Sequence, residues 1–229
     1  MNIALILAGG VGNRMESEIP KQFIKVNDYP IIIHTLLKMQ NHSEIDKIQV
    51  VCIARWENVL LNYAQKYNVS KLNQIVTGRR TRYESTRIGM ESLNAKDDDV
   101  IILHDSVRPL VTTETLSDVI SVCKIYGNSM SVLDCTDTIY EKTTNDYTSK
   151  ESDRNKLIRG QTPEAVTGKR LREMYAASDE RNIRLDSISA LQLALGWEVY
   201  FAKGSELNIK ITRPEDLTLF KALAKIIEQ

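Results

Sequence analysis

Residues 3–7 (Ile-Ala-Leu-Ile-Leu) are an unbroken apolar run, followed closely by Gly9 and Gly10. A run with no polar alternation fits a strand buried on both faces, which a sheet covered by helices on both sides supplies. Residues 48–54 and 100–103 repeat the pattern, and 199–202 is a weaker strand candidate. Helical periods lie between and after them. Leu116, Val119, Ile120 and Cys123 share one helix face, as do Leu217, Phe220, Ala224 and Ile227. Thr81-x-x-Glu84 and Thr212-x-x-Glu215 read as capping boxes, the second with Pro214 in the first turn. This alternation predicts an α/β fold with a Rossmann-like, mainly parallel sheet and helices on both faces. At 229 residues the chain fits a single domain.

Residues 134–159 break the pattern, being polar, rich in threonine and charge, and without a helical period. Two readings stand: a disordered loop, or a β-arm projecting from the domain.

Lysine plus arginine balances aspartate plus glutamate at 30 each, so no bulk field recruits a polyanion. A general nucleic-acid binder usually carries a basic excess, and any phosphate site here must be a local concentration of cations. Cys52, Cys123 and Cys135 form no C-x-x-C pair, and with three histidines a structural zinc site is not expected. The first apolar run is too short to span a membrane and lacks the charged head of a signal peptide. The expectation is a cytoplasmic protein with no membrane partner.

In parallel sheets ligands bind beyond the carboxyl ends of the strands. After the first strand run comes Leu7-Ala8-Gly9-Gly10-Val11-Gly12-Asn13-Arg14-Met15, then Pro20-Lys21-Gln22. Gly9, Gly10 and Gly12 let backbone N–H groups approach an anion, and Arg14 and Lys21 add positive charge. The sequence is neither a Walker loop nor a dinucleotide fingerprint, since Met15 stands where a third glycine or alanine belongs. It reads as a nucleoside-triphosphate site, against the alternative of a purely structural turn.

After the run 100–103 comes His104-Asp105-Ser106-Val107-Arg108-Pro109. Asp105 is placed to hold Mg²⁺ between phosphates, and Arg108 can reach a second phosphate; the plainer reading is a helix cap with a surface ion pair. Gly78-Arg79-Arg80-Thr81-Arg82-Tyr83-Glu84-Ser85 gathers three arginines at a helix start, an anion site or solvated surface. Lys210, in Asn208-Ile209-Lys210-Ile211-Thr212, is either a phosphate ligand or an edge residue with its ammonium in water.

Taken in order, these segments resemble the family of methylerythritol-phosphate and ribitol-5-phosphate cytidylyltransferases. The match runs from Ile6 to about Leu217. It rests on Leu-Ala-Gly-Gly-x-Gly-x-Arg-Met with Pro-Lys-Gln, Arg82-x-x-Ser85, His-Asp-Ser-Val-Arg-Pro, Gln161-Thr162-Pro163, Asp186 ahead of a helix, and Asn-Ile-Lys-Ile-Thr. The resemblance implies a nucleotidyltransferase-type fold and transfer of CMP from CTP to a polyol phosphate, with release of pyrophosphate and help from Mg²⁺ or another divalent cation. It implies that Arg14, Lys21 and Lys210 neutralise charge at the reacting phosphates. Leu7, Ala8, Gly9, Gly10, Gly12, Gly78, Arg82, Ser85 and Asp105 would contact the nucleotide, with Asp105 and Asp186 holding the metal. Arg108, Thr138, Arg154, Thr162 and Asp186 would face the acceptor. Thr138 and Arg154 would do so from an arm exchanged between the subunits of a homodimer.

Two departures bear on specificity: Arg79 stands where the family often has a second glycine, and Asp186 is followed by Ser-Ile-Ser-Ala-Leu, between the patterns of the two subgroups. Cys135-Thr136-Asp137-Thr138 lacks the arginine often found before Asp-Thr in the methylerythritol enzymes. His-Asp-Ser-Val-Arg-Pro and Gly160-Gln161-Thr162-Pro163 lean towards ribitol 5-phosphate. The alternative acceptor is 2-C-methyl-D-erythritol 4-phosphate, of isoprenoid biosynthesis. A Rossmann dehydrogenase would use Asp28 for the ribose but leaves Arg14 and Lys21 unexplained. A non-catalytic nucleotide-binding module would bind CTP and release no pyrophosphate.

Overall fold

The computed structural model describes residues 1–10 and 19–227. In chain order the elements are β1 (Asn2–Ala8), β2 (Lys25–Val26), β3 (Tyr29–Pro30), α1 (Ile31–Asn41), β4 (Lys47–Cys52), α2 (Glu57–Lys66), β5 (Leu72–Thr77), α3 (Arg82–Glu91) and β6 (Val100–Asp105). There follow α4 (Thr113–Tyr126), β7 (Asn128–Asp134), β8 (Ile139–Glu141), β9 (Lys150–Ser152), β10 (Ile158–Thr167), α5 (Gly168–Glu180), α6 (Ile188–Ala194), β11 (Phe201–Lys203) and α7 (Pro214–Ile227). Seven strands form one sheet in the order β11-β7-β10-β6-β1-β4-β5.

The opening run is the sheet's central strand. All seven residues of β1 are buried, and parallel neighbours flank it, with Ala4 opposite Ile48 on β4 and Ile102 on β6. Its side chains alternate between two cores. Ala4, Ile6 and Ala8 pack with residues of α1, α2 and α4, such as Leu36, Leu60 and Val119. Leu5 and Leu7 pack with α3, α5 and α6 through Met90, Met174 and Leu191. A third cluster, centred on Phe220 of α7 with Ile211, Val107 and Ile31, ties the segment bearing Lys210 to the turn after β6. The register Leu7↔Asp105 sets Asp105 beside the exit of β1, at the carboxyl ends of both strands.

Three strands of the seven-stranded sheet were not legible in the sequence. β5 is an edge strand with no fully buried residue. β7 carries serines on its buried side, and β10 runs antiparallel between β6 and β7, so the sheet is mixed at that side. The expected strand 199–202 begins two residues later, as Phe201–Lys203, because Tyr200 N–H donates to the Asn128 side chain (3.0 Å). The capping box at Thr81 and Glu84 is present in full. The one expected at Thr212 and Glu215 is replaced: Asp216 accepts from the N–H groups of Thr212 (2.8 Å) and Arg213 (2.9 Å), and the Thr212 hydroxyl donates to Lys210 O. The side chain of Ile227 lies outside the described residues.

Of the two readings of 134–159, the β-arm is observed. β7 and β10 run on as a pair to Asp134 and Ile158, and β8 and β9 close a separate antiparallel hairpin beyond them.

Gly89 lets α3 lie close on the sheet. A Cβ there would run into Val51 Cγ2 and stand 3.2 Å from Leu5 Cδ1, both buried on stiff strands. Gly89→Ala is expected to lower stability by about 1–3 kcal/mol through overpacking, outweighing the gain of about 1 kcal/mol that alanine brings to a helix. Urea unfolding measures it, and a stabilised variant would show that α3 is free to lift from β1 and β4.

Candidate active site

Asp105, the last residue of β6, is 3% exposed. A buried carboxylate stays ionised only where cations and donors replace its lost water. Three cations do so, each from a different part of the chain. Arg82, at the start of α3, donates to Oδ1 (2.9 Å), Lys210 Nζ stands 2.9 Å from Oδ2, and Arg108 Nε lies 3.5 Å from the same oxygen. Burial pushes the Asp105 carboxyl up, but Arg82, Lys210 and Arg108 outweigh it and hold the group well below the usual carboxylate range. Asp105 N–H donates to Thr162 Oγ1 (3.1 Å), which fixes the strand end to β10. This is a cluster on a buried carboxylate, with Arg82 and Lys210 reaching it from the half-exposed rim, rather than the surface pair considered from sequence.

Lys210 is held there by its own segment. Asn208, fully buried, donates to Thr162 O (2.8 Å), and its carbonyl accepts from Arg108 Nη1 (2.6 Å). Arg108, expected to reach a second phosphate, is thus turned inward, with its side chain 12% exposed. Lys21 Nζ donates to Ile211 O (2.9 Å), which brings it beside Lys210. Gln22 Nε2 donates to Ala8 O (2.8 Å) and Gly10 O (3.1 Å), tying Pro20-Lys21-Gln22 to the glycine turn.

Beside the cluster lies a cleft of about 280 Å³, lined by Leu7, Gly9 and Gly10 from the exit of β1 and by residues 79–82 and Ser85 from the start of α3. Gly78 permits the close approach of these two segments: a Cβ there would be 3.3 Å from Cys52 O and 3.5 Å from Gly9 Cα. Ser85 Oγ accepts from Arg79 N–H (2.8 Å) and so shapes the turn into the helix. The cleft lining is cationic, with guanidinium groups of Arg79, Arg80 and Arg82 near a capped helix N-terminus, which suits an anion.

Asp186 is exposed and accepts from Tyr83 N–H (3.2 Å) at the same helix start, one residue from Arg82. Thr138 and Arg154 are exposed on the arm, where Arg154 Nη1 donates to Thr136 O (2.8 Å). Gly12 and Arg14 lie outside the described residues. Among the described residues no group of three or more His, Cys, Asp or Glu side chains stands together as a metal cage.

Sequence reasoning missed Glu164 and Asn208. Glu164 is 6% exposed on β10, accepting from Ser187 Oγ (3.0 Å) and Ser189 N–H (3.1 Å). Burial pushes its carboxyl up, against the pull of Ser189, Ser187 and Arg82. The available signal was an acid followed directly by Ala165-Val166, a buried pair.

His104 is fully buried, and its Nε2 lies 3.1 Å from Arg108 O, so Nε2 carries the proton and donates. Burial pushes its pKa from 6.5 down to about 4. As pH falls the unfolded chain therefore takes up this proton first. The contribution to stability is full above the unfolded value and is lost as pH falls from 6.5 to about 4. The loss is expected to be up to about 3 kcal/mol, and His104→Gln should flatten that window in urea unfolding followed against pH. An unchanged slope would mean that another group titrates there.

The chain from residue 2 to 226 matches the family described as IspD: 2-C-methyl-D-erythritol 4-phosphate cytidylyltransferase. It is 40% identical to a ribitol-5-phosphate cytidylyltransferase of Lacticaseibacillus paracasei, over 97% of both chains. It is 34% identical to a 2-C-methyl-D-erythritol 4-phosphate cytidylyltransferase of Syntrophus aciditrophicus, over 97% of this chain and 95% of the other. In fold it is similar to the 4-diphosphocytidyl-2C-methyl-D-erythritol synthase of Anaerococcus prevotii, with a TM-score of 0.81 over 98% of both chains at 24% identity. With its cation cluster and cleft at the carboxyl ends of β1 and β6, the chain belongs to this cytidylyltransferase family and is a nucleotidyltransferase.

Proposed function

We propose that the chain transfers CMP from CTP to D-ribitol 5-phosphate, giving CDP-ribitol and pyrophosphate. The observation that carries the chemistry is the convergence of Arg82, Lys210 and Arg108 on Asp105 beside a glycine-lined cleft. The 40% identity to a ribitol-5-phosphate cytidylyltransferase supports the acceptor.

In this reading an oxygen of the acceptor's phosphate attacks the α-phosphorus of CTP. A P–O bond forms, the bond from the α-phosphorus to the bridging oxygen breaks, and pyrophosphate leaves with the electron pair. The attacking phosphate is ionised at neutral pH, so no general base is needed, and the protein's part is positioning and charge neutralisation. Lys21 and Lys210, with Arg14 from the glycine turn, neutralise the reacting phosphates. Gly9, Gly10, Arg82 and Ser85 hold the nucleotide, with Gly78 beside the base. Asp105 keeps Arg82 and Lys210 poised; a triphosphate competes for the same cations and frees the carboxylate.

Asp105 and Asp186 are the carboxylates that would hold Mg²⁺. Their hard oxygen donors fit that ion, which is commonly bound by one or two carboxylates together with substrate phosphates. The chemistry such an ion would supply is withdrawal of charge from the phosphate oxygens.

The arm is proposed to build a homodimer and serve the acceptor pocket of a neighbouring subunit, bringing Thr138 and Arg154 to Thr162 and Asp186. Two observations support this. A lone two-stranded hairpin is marginally stable in water, and the arm leaves Tyr140 60% and Tyr147 61% exposed. The partners are then CTP, a polyol phosphate and a second copy of the chain, in the cytoplasm; no helix among the described residues is long and apolar enough to cross a membrane.

The 34% identity to a 2-C-methyl-D-erythritol 4-phosphate enzyme keeps that acceptor as the second reading. Pyrophosphate release from CTP, followed with each acceptor, distinguishes them. Ribitol 5-phosphate is expected to give the higher kcat/KM by about tenfold or more, and the reverse order would overturn the assignment. For the arm, Arg154→Ala and Lys21→Ala chains are each expected to be nearly inactive, and to regain part of their activity when mixed after dissociation and reassociation. A mixture that stays inactive despite confirmed subunit exchange would mean that each arm serves its own chain.

A further inference from the structure

Glu164 is buried beside the site, and the proposed chemistry does not use it. The antiparallel register Glu164↔Leu103 sets it two residues along β10 from Thr162, whose hydroxyl accepts from Asp105 N–H. Its two oxygens are both occupied on the far side: one accepts from Ser187 Oγ (3.0 Å), the other from Ser189 N–H (3.1 Å). The bond from Ser189 N–H satisfies a first-turn donor of α6, while the bond from Ser187 Oγ is made by the helix cap itself, which also accepts from Ala190 N–H (3.2 Å). Through Ser187 Glu164 also anchors the irregular stretch 181–187 at its last residue, next to Asp186.

Asp186 is exposed and has few constraints of its own. Its Oδ1 accepts from Tyr83 N–H, the residue after Arg82, and Arg82 holds Asp105 Oδ1. Asp105 and Asp186 are therefore joined by two routes. One runs through α3, by way of Arg82 and Tyr83. The other runs through β10, by way of Thr162, Glu164 and Ser187. Cutting the second route leaves Asp186 on a single 3.2 Å hydrogen bond.

We propose that Glu164 is a positioning residue: by gripping Ser187 and Ser189 it fixes where the Asp186 carboxylate stands relative to Asp105 and Arg82, and so sets the acceptor side of the site. This rests on the polyol-phosphate reading above. The grip needs two accepting oxygens. Glutamine keeps one and alanine none, so the two variants should form a graded series.

The test is a double-mutant cycle of Glu164→Ala and Glu164→Gln with Asp186→Asn, read as kcat/KM for ribitol 5-phosphate and KM for CTP. Calorimetric Kd for ribitol 5-phosphate replaces turnover where turnover is too slow to read. Misplacing a reacting group by about 1 Å costs on the order of 10²-fold. Glu164→Ala is therefore expected to lower acceptor kcat/KM by about 10–100-fold. Its KM for CTP should change by less than about threefold, Glu164→Gln should fall between, and adding Glu164→Ala to Asp186→Asn should cost less than about threefold more. If both substrates suffer alike, or if the losses multiply in the double variant, Glu164 serves only the fold and the proposal is overturned. Should Glu164→Ala fail to fold, Glu164→Gln carries the same cycle. Wild-type chain that releases no pyrophosphate with any polyol phosphate would sink the parent reading and this proposal together. Wild-type turnover with multiplying losses sinks the proposal alone.

Discussion

A charged carboxylate at the buried end of β6 is the constraint around which the site is arranged. Taken from water alone, Asp105 would be neutral or would destabilise the fold. It is ionised because Arg82, Lys210 and Arg108 reach it from three separate segments, and those segments are therefore held in register by it. Removing one partner of a fully buried ion pair commonly costs about 3–5 kcal/mol, and solvent reduces that for Arg82 and Lys210, whose side chains are partly exposed. Three cations against one carboxylate also leave an excess of two positive charges in the cluster, and one of the three, Arg82, lines the cleft. The interaction that orders the segments thus leaves them short of negative charge, and a triphosphate is a ligand that supplies it.

The supporting structure follows from this. Thr162 and Asn208 tie β10 and the Lys210 segment to the two ends of the 105–108 turn. Gly78 and Gly89 act through what they lack, letting α3 approach β4 closely enough that Arg82 reaches inward. A site that neutralises charge without moving its own groups far gains most from rigid support of this kind.

Much of this was legible in the sequence, for identifiable reasons. β1, β4 and β6 are buried on both faces, so they announce themselves as continuous apolar runs. The Thr81–Glu84 box is local, and local signals are readable. β7 and β10 were hidden because serine, threonine and glutamate occupy their buried positions, with partners such as Gln161, Pro163 and Ser187 that no local spacing reveals. Asp105, Lys21, Lys210 and Arg82 were picked out as residue types after strands or at helix starts. Sequence could not supply their convergence, since Arg82 and Lys210 meet at one carboxylate from positions far apart in the chain. Arg108 was read as facing a ligand because a strand-end arginine usually can; here Asn208 O turns it inward.

The account stands most directly on the exchange of partners it assigns to Asp105. A crystal structure of the chain with CTP and Mg²⁺ tests this. The prediction is that Lys210 Nζ leaves Asp105 Oδ2, from which it stands at 2.9 Å, and binds a phosphate oxygen while the nucleotide fills the cleft beside Gly9 and Gly10. A triphosphate bound elsewhere, with the Lys210–Asp105 pair intact, would contradict it.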